Sequence, residues 1–591
     1  MLLLIMSSVM VFAQVSDNGD GTFKNPVLYM DAPDPSVIRV GNVFYMVSTT
    51  MHMSPGCTIM KSYDLVNWEV VNYAYDQLEE DDRFALKNDK NDYASGSWAA
   101  NIRYDKYEKR YYVIISCNTT NKSYIFSTSD IENGSWHRSV VEKCYDPGLL
   151  FEDTGSECKK YIVYPADNLN KHEVYLRNFT VDKNFDVVLG ESKVIIEHGN
   201  IENPAQGLRA EGCHGYKIGD YYYIFMIQGM GWQRQEIVWR SKTLTPGSFE
   251  VKRVFAGNIV DKNGKDILPF TGIAQGGIVD TEDGKWYAFL FQDYGAVGRI
   301  PVLLPMVWEN GWPVIGNNGE SVDEILPKPI SGYEKKSVII SDEFNNGLKR
   351  KVISEKYAGI DVTAGITYKE LNKLKNQGKL NSAVEANEYE YNGSNLNIAW
   401  QWNHNPNNNL WSLTERKGYL RFKSGILSNN IQQARNTLTQ RTFGPTSSAN
   451  VALEFNLMND GDVAGLSSFQ NQYGYVGIKM KDGQKYIVMH RAQEKNDAQG
   501  KEIERIPISK GAKRIYLKVD CDFKDKIDRA YFYYSMDGKN WIRIGDYLQM
   551  AFDWPHFVGQ RFGLFYYSTE NLGGCVDFDY FHVNENIYEI N

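Results

Sequence analysis

Three acidic residues occupy equivalent positions in repeated segments of the chain. Five segments align, and their first residues are Asp34, Ala100, Asp146, Glu211 and Gln275. In four of the five, an aromatic residue follows eleven positions later, and the third segment has a turn that is four residues longer. Asp-Pro pairs commonly start turns, so Asp34 or Asp146 alone would be interpreted as a turn residue. Three acids in phase instead predict a shared site, because carboxylates that converge repel one another and are costly to desolvate.

Carboxyl groups held close together can carry out acid–base chemistry on a glycosidic bond. That reaction requires an ionised carboxylate that activates water and a carboxyl group that keeps its proton for the leaving oxygen. A third acid can raise the pKa of the proton donor by supplying a like charge. The alternative is metal binding, because three acids and Gln275 form an oxygen-rich set of the kind that binds calcium. Calcium loops usually draw their ligands from one short segment, whereas these residues come from separate repeats, so the sequence favours catalysis.

The repeated segments predict β-hairpins that position these residues. The fourth segment is typical: Glu211 begins one strand, Gly219-Asp220 forms a turn, and the aromatic and branched residues from Tyr221 to Met226 form the next strand. Five repeats of this length, each with several strands, predict an all-β, five-bladed β-propeller. The innermost strands of a propeller line one central channel, so the first residues of the five segments are expected to face a common axis.

Length, charge and cysteine content narrow the class of protein. A chain of 591 residues is too long for one hydrophobic core, so two or more domains are expected. The net charge of −9 and the lack of a long basic run argue against nucleic acid or a membrane surface as a partner. Seven scattered cysteines without a CxxC pair predict neither a zinc site nor a disulfide framework.

The apolar N-terminal segment predicts export. Residues 1–13 end in Val-Phe-Ala before Gln14, a pattern typical of a secretory signal peptide and its cleavage site. The expected location is therefore beyond the inner membrane, in the periplasm. No later segment approaches the ~18 apolar residues of a membrane span.

Three motifs resemble glycoside hydrolase family 43. They are Asn25-Pro-Val-Leu continuing to Asp31-Ala-Pro-Asp34-Pro-Ser, then Tyr145-Asp146-Pro-Gly, then Arg209-Ala-Glu211-Gly-Cys-His. The resemblance covers residues 25 to about 320 and implies a five-bladed propeller, 14–325, with inverting β-xylosidase or α-L-arabinofuranosidase activity. It implies that Asp34 is the general base, that Glu211 is the general acid, and that Asp146 tunes the pKa of the acid and orients it. The match to Asp-Pro-Ser selects Asp34 over the nearby Asp31.

The resemblance also implies residues that contact substrate. Trp98 matches an aromatic residue at the sugar pocket, with core packing as the alternative, and Arg299 matches an arginine that binds substrate. The fifth repeat of many family members begins with a histidine linked to a calcium ion in the channel, whereas this chain has Gln275. We therefore expect no required cofactor and no catalytic metal. A structural calcium is the alternative, because the Gln275 side-chain carbonyl could still bind it, and Gln275 is also a candidate substrate-binding residue. His52 and His214 are interpreted as pocket-wall or core residues.

The second half of the chain lacks the five-fold repeat. Alternating segments such as Tyr419–Lys423 and Ala530–Tyr534 predict a β-sandwich spanning 333–591, after a linker at about 316–332. It resembles the concanavalin-like C-terminal domain of xylosidase-type members, which can lend a loop to the rim of the pocket. A polar segment with one apolar stripe, 368–378, predicts a short helix within an insertion at 345–393. Three acids are interpreted as edge-strand residues, with a structural calcium site as the alternative: Asp342, Asp577 and Asp579.

The leading functional hypothesis is an exo-acting, inverting glycosidase that releases a terminal pentose from plant hemicellulose side chains or oligosaccharides. The favoured sugar is α-L-arabinofuranose, and the alternative is β-xylosidase activity on xylo-oligosaccharides. A hypothesis from another class is a non-catalytic carbohydrate-binding propeller, which the in-phase acids disfavour. A third is an interaction propeller built around a metal ion.

Overall fold

The computed structural model shows an all-β protein. It describes residues 16–168, 171–201, 209–347, 388–389, 391–495, 497–553 and 555–588. About 50% of it is strand and 2% helix. The helices of the described ranges are short 3₁₀ turns at Asp82–Ala85, Gly231–Gln233, Gly295–Val297 and Lys524–Lys526. None of them is long and apolar enough to cross a bilayer. The predicted signal peptide, 1–13, and the predicted helix, 368–378, lie outside the described residues.

Five four-stranded antiparallel sheets form the blades of a propeller, as predicted. Blade 1 consists of Ser36–Val40, Val43–Ser48, Gly56–Ser62 and Glu69–Tyr75. Blade 2 consists of Ser97–Asp105, Arg110–Cys117, Lys122–Thr128 and His137–Glu142. Blade 3 consists of Gly148–Asp153, Cys158–Pro165, Val174–Val181 and Val187–Ile196. Blade 4 consists of Glu211–Ile218, Tyr221–Gln228, Gln235–Ser241 and Glu250–Phe255. Blade 5 consists of Ala274–Asp280, Trp286–Asp293, Arg299–Glu309 and Trp312–Ile315.

The first strands of neighbouring blades contact one another around the whole ring, so they line the central axis. The second strands of the blades are among the most buried, as in Tyr221–Gln228 and Trp286–Asp293. Each fully buried large apolar side chain contributes about 1.5–3 kcal/mol. A short antiparallel pair closes the ring by joining Thr22–Lys24 to Ile325–Pro327. The buried Asn25 amide completes the closure, because it donates to the Leu303 carbonyl at 2.9 Å and accepts from the Leu303 N–H at 3.1 Å.

The C-terminal half is a β-sandwich of two large sheets, also as predicted. In spatial order, the first sheet contains Lys501–Pro507, Gln484–Ala492, Tyr473–Lys481, Asp462–Phe469, Arg561–Ser568, Leu438–Arg441, Gln401–Asn403 and Met53–Ser54. The second contains Trp411–Ser412, Leu420–Lys423, Cys575–Asn584, Thr446–Leu457, Arg514–Asp522, Arg529–Ser535 and Ile542–Arg543. Leu548–Gln549 also pairs with Arg529–Ser535.

The propeller supplies one strand of the sandwich. Met53–Ser54, between the second and third strands of blade 1, forms the edge strand of the first sandwich sheet, with Ser54 opposite Trp402. Arg441 of the sandwich donates to the Asp31 carbonyl at 2.7 Å and to the Thr58 hydroxyl at 3.2 Å. The two domains are therefore joined by backbone pairing and by buried hydrogen bonds.

Three acids that could have formed a calcium site in the sandwich have other partners. Asp577 forms ion pairs with Arg416 and Arg421, and Asp579 pairs with Arg514. Asp342 accepts the indole N–H of Trp400 at 2.8 Å. Arginine and indole donors occupy these carboxylates. The interpretation of Asp577 and Asp579 as edge-strand residues is wrong, because their strand, Cys575–Asn584, lies between Leu420–Lys423 and Thr446–Leu457 inside the second sheet.

Candidate active site

The three in-phase acids line one cavity of about 300 Å³ on the propeller axis. All of the predicted site residues lie there. The lining residues are Asp34, Thr49, Trp98, Ala99, Asn118, Tyr145, Asp146, Asp167, Arg209, Glu211, Gln275, Arg299 and Phe557. The structure thus brings together the residues that the repeats and the family motifs predicted for one site.

The backbone at the mouth of the inner strands is unusual. Asp34, Asp146 and Gln275 have positive φ angles of 51°, 41° and 59°. Few residues other than glycine adopt this conformation, and those that do cluster at functional sites. In blade 4 the residue with a positive φ angle is not Glu211 but the next residue, Gly212, with φ 66°. A Cβ on Gly212 would lie 2.6 Å from the Gln275 side chain, so glycine also allows these two blades to approach.

Asp34 is held by donors on both of its carboxylate oxygens. Arg299 Nη1 donates to Oδ1 at 2.6 Å, and Thr49 Oγ1 donates to Oδ2 at 2.6 Å. Asp31, the nearby acid, lies outside the cavity and accepts the backbone N–H of Arg299 at 3.0 Å. Burial raises the pKa of Asp31 to about 6. Asp34 therefore lies in the cavity and Asp31 lies outside it, which agrees with the motif that selects Asp34 over Asp31.

Arg299 links the cavity to a row of buried charges. Its Nε donates to Asp293 at 3.1 Å, and Asp293 also accepts Arg234 Nη2 at 2.6 Å. Burial would raise the pKa of Asp293, but the two arginines hold it below the usual value. This row fixes the guanidinium that binds Asp34. The repeat pattern did not predict Thr49, Asp293 or Arg234 as part of the site.

Glu211 and Asp146 are electrostatically coupled. Burial raises the pKa of Asp146 well above its usual value, and the charges of Glu211 and Asp34 raise it further. Burial also raises the pKa of Glu211, while Arg209, the Tyr145 hydroxyl and Arg299 oppose the shift. The Tyr145 hydroxyl donates to Glu211 Oε2 at 3.2 Å. Glu211 is therefore a carboxyl group that retains its proton to higher pH than an exposed glutamic acid.

Aromatic side chains from both domains form one wall of the cavity. Phe557, from the sandwich, packs edge-on against Trp98 with ring centroids 5.3 Å apart. The Arg299 guanidinium lies 4.1 Å from the Phe557 ring. The indole N–H of Trp98 is buried without a hydrogen-bond partner among the described residues, so a bound hydroxyl group could accept it. The sandwich thus supplies part of the pocket, which matches the rim contribution that the resemblance implies.

Gln275 is fixed by a buried acid. Its backbone N–H donates to Glu236 Oε2 at 2.7 Å, and burial raises the pKa of Glu236 to about 8. This contact positions the peptide of Gln275, while its side chain lines the cavity.

Polar side chains cross the axis deeper in the channel. Asn101 of blade 2 contacts His214 of blade 4 at 3.0 Å and accepts the Leu149 N–H of blade 3 at 3.0 Å. Arg103 of blade 2 donates to the Gly215 carbonyl of blade 4 at 2.7 Å and lies 4.3 Å from the Tyr216 ring. The channel is therefore closed beyond the carboxylates.

These channel residues do not fit a calcium ion. Arg103 places a positive charge on the axis and pairs with no carboxylate among the described residues. Burial and the Arg103 charge lower the pKa of His214 to about 3, so its ring is neutral and bonded to Asn101. The described ranges contain no cluster of three or more His, Cys, Asp or Glu side chains arranged for a metal ion.

His52 lies at the domain boundary, outside the cavity. Its ring packs 4.9 Å from that of His404 and 5.1 Å from that of His556, both in the sandwich. Burial lowers the pKa of all three histidines, to about 4 for His556. These rings pack as neutral aromatic groups, in line with the interpretation of His52 as a core residue.

Both halves of the chain match known families. Residues 23–313 match the model of glycosyl hydrolases family 43, and residues 388–584 match that of the β-xylosidase C-terminal concanavalin A-like domain. A β-xylosidase from Formosa agariphila is 27% identical, covering 96% of this chain and 90% of its own. A non-reducing end α-L-arabinofuranosidase from Bacteroides ovatus is 25% identical, covering 80% of this chain and 78% of its own.

A solved structure shares the architecture. The bifunctional GH43-CE protein of Bacteroides eggerthii is 39% identical with a TM-score of 0.78, covering 96% of this chain and 64% of that chain. With both family models, this likeness agrees with the motifs around Asp34, Asp146 and Glu211. The chain belongs to glycosyl hydrolase family 43 and is a glycoside hydrolase.

Proposed function

We propose that the enzyme removes a terminal pentose from a saccharide with inversion at the anomeric carbon. The observation that carries this proposal is the contrast between two acids in one cavity. Asp34 is bound through both oxygens by Arg299 and Thr49, whereas burial raises the pKa of Glu211. Carboxyl groups whose environments differ in this way suit the roles of base and acid.

Glu211 and Asp34 each have one step in the proposed reaction. Glu211 gives its proton to the glycosidic oxygen as the bond from that oxygen to the anomeric carbon breaks. Water attacks the opposite face of the same carbon, and Asp34 takes the proton that the water loses. Asp146, whose own pKa is raised by burial and by the charges of Glu211 and Asp34, has the role of orienting the proton donor. Arg299 holds Asp34 and reaches the substrate.

The closed channel supports exo action. Asn101 and Arg103 close the axis beyond the carboxylates, and Phe557 walls one side of the cavity. A pocket with one mouth admits the end of a chain or a single side-chain sugar. The interior of a continuous polysaccharide could not thread through it.

The two pentoses remain separate candidates. Our preferred candidate is α-L-arabinofuranose, and the Bacteroides ovatus relative is named a non-reducing end α-L-arabinofuranosidase. β-D-Xylose is the second candidate, because the Formosa agariphila relative and one from Xylanibacter ruminicola are named β-xylosidase and putative β-xylosidase. A non-catalytic carbohydrate-binding propeller is not favoured, because the chain belongs to an enzyme family.

A side-by-side assay tests the proposal. We expect the wild-type enzyme to hydrolyse 4-nitrophenyl α-L-arabinofuranoside, with a larger kcat/KM than for 4-nitrophenyl β-D-xylopyranoside. Proton NMR of the first product should show the anomer opposite to that of the substrate. A preference for the xyloside would select the second candidate. Retention of configuration, or no turnover of either glycoside by folded protein, would contradict the proposal.

We further propose that catalysis requires no metal ion, since Arg103 and the Asn101–His214 contact fill the channel where a cation would lie. Prolonged treatment with a chelator should leave both kcat and the melting temperature unchanged. Adding calcium back should likewise have no effect. A loss of activity or several degrees of melting temperature, restored by calcium, would show that the channel holds a structural or catalytic ion.

A further inference from the structure

An exposed aromatic loop lies between the second and third strands of blade 4. Trp232 is 79% exposed, the most exposed large apolar side chain among the described residues, and Met230 is 53% exposed. Phe270, on the loop that enters blade 5, is 48% exposed. Single exposed apolar residues are common on protein surfaces, whereas several of them on neighbouring loops mark a candidate binding site. We call Met230, Trp232 and Phe270 the Trp232 platform.

Strand direction places this platform on the same face as the mouth of the pocket. Glu211 begins the first strand of blade 4 and pairs with Ile227 near the end of the antiparallel second strand. The loop that follows Gln228 therefore emerges at the end of the blade where Glu211 lies. The loop bearing Phe270 precedes Ala274 and Gln275, so it reaches the same face.

The platform is connected to the catalytic residues. The Gly272 N–H donates to the Gly231 carbonyl at 2.9 Å, which joins the two aromatic loops. Arg234, two residues after Trp232, binds Asp293 at 2.6 Å. Asp293 in turn binds Arg299, and Arg299 binds Asp34. The position of the loop is thus fixed relative to the proposed base.

The size of the cavity indicates what the platform binds. About 300 Å³ is at the lower end of the range for small-ligand pockets, so only the end of a polysaccharide can be enclosed. The remaining sugars must leave through the mouth, across the face that carries Trp232. Flat aromatic rings bind the apolar faces of sugar rings, and a neutral glycan meets no repulsion from a protein of net charge −9.

We propose that the Trp232 platform binds the main chain of a pentose-bearing polysaccharide on the leaving-group side of the scissile bond. This inference rests on the proposed function and names the natural substrate class as polymers or long oligosaccharides. Sugars on the platform add affinity only for substrates long enough to reach it. Small aryl glycosides end before it and gain nothing.

Truncation of Trp232 tests the inference. Trp232→Ala should raise KM for soluble arabinoxylan or a long xylo-oligosaccharide about tenfold, equivalent to ~1.4 kcal/mol. The kcat/KM for an aryl pentoside should stay within about twofold of wild type. Trp232→Phe, which keeps a flat ring, should recover most of the affinity for the long substrate.

Phe185 offers a matched control. It is 42% exposed and follows Val181, where the third strand of blade 3 ends on the face opposite to the mouth. Phe185→Ala should leave both substrates unaffected.

Each other outcome has a distinct meaning. An equal loss on short and long substrates would show that the loop only supports the active site, which overturns the inference. No change with the long substrate also overturns it. If wild-type protein forms dimers that Trp232→Ala dissociates, without any change in polysaccharide kinetics, the platform is an interface between copies instead. If wild-type protein hydrolyses no pentoside, the proposed function fails, and affinity electrophoresis in arabinoxylan still tests the platform.

Discussion

Glu211→Gln should lower kcat about 10³-fold on an unactivated pentosyl oligosaccharide, within the range typical of general acid catalysis. Such a leaving oxygen must receive a proton as the bond breaks, and the amide cannot give one. A dinitrophenyl pentoside leaves without that proton, so its kcat should fall less than about tenfold. This difference between leaving groups identifies a proton donor, which a general loss of structure would not reproduce.

The pH dependence provides a second test of the same variant. Glu211 acts only while protonated, so wild-type activity should fall as the pH rises through its raised pKa. That alkaline decline should be absent from the Glu211→Gln profile with the dinitrophenyl substrate. Equal losses on both leaving groups, or an unchanged alkaline limb, would assign the proton donor elsewhere.

Asp34→Asn should lower kcat about 10³–10⁴-fold on every substrate, whatever the leaving group. The amide keeps the size of the side chain but cannot take a proton from water, and it loses the ion pair with Arg299. Azide needs no base, so adding it should restore turnover and yield a glycosyl azide of inverted configuration. Product analysis by NMR distinguishes this outcome from simple inactivation.

Asp31→Asn is the matched control for Asp34→Asn. Asp31 is also buried but lies outside the cavity, where it accepts backbone N–H groups that an amide oxygen can also accept. Activity should stay within about tenfold of wild type. If Asp31→Asn instead showed the larger loss and the azide rescue, the two acids would exchange roles.

Repeat phase predicted the acids because a propeller converts equal positions in sequence into equal positions around an axis. It did not predict Thr49 or Asp293, which lie at or just beyond the ends of second strands on the same face. Strand order could have indicated both positions, because the second strand of each blade runs back toward the mouth of the pocket and ends there. Phe557 had no such pattern, because its place depends on how the sandwich docks against blade 1.

The repeats also did not predict that the channel is closed. Asn101 and Arg103 alternate along the innermost strand of blade 2, and polar residues two apart on such a strand indicate a polar face toward the axis. Their contacts with blade 4 depend on the radius of the ring, which follows from packing between blades. The alternation could have suggested the polar lining, but not its closure.

The strand that Met53–Ser54 adds to the sandwich affects whether either domain can be produced without the other. A gene encoding residues 333–591 alone would produce a sheet with an unpaired edge at Gln401–Asn403, and bare edges promote aggregation. A gene encoding the propeller alone would lack Phe557 and the covering of its first blade. We therefore expect the two halves of this chain to fold and function as one unit.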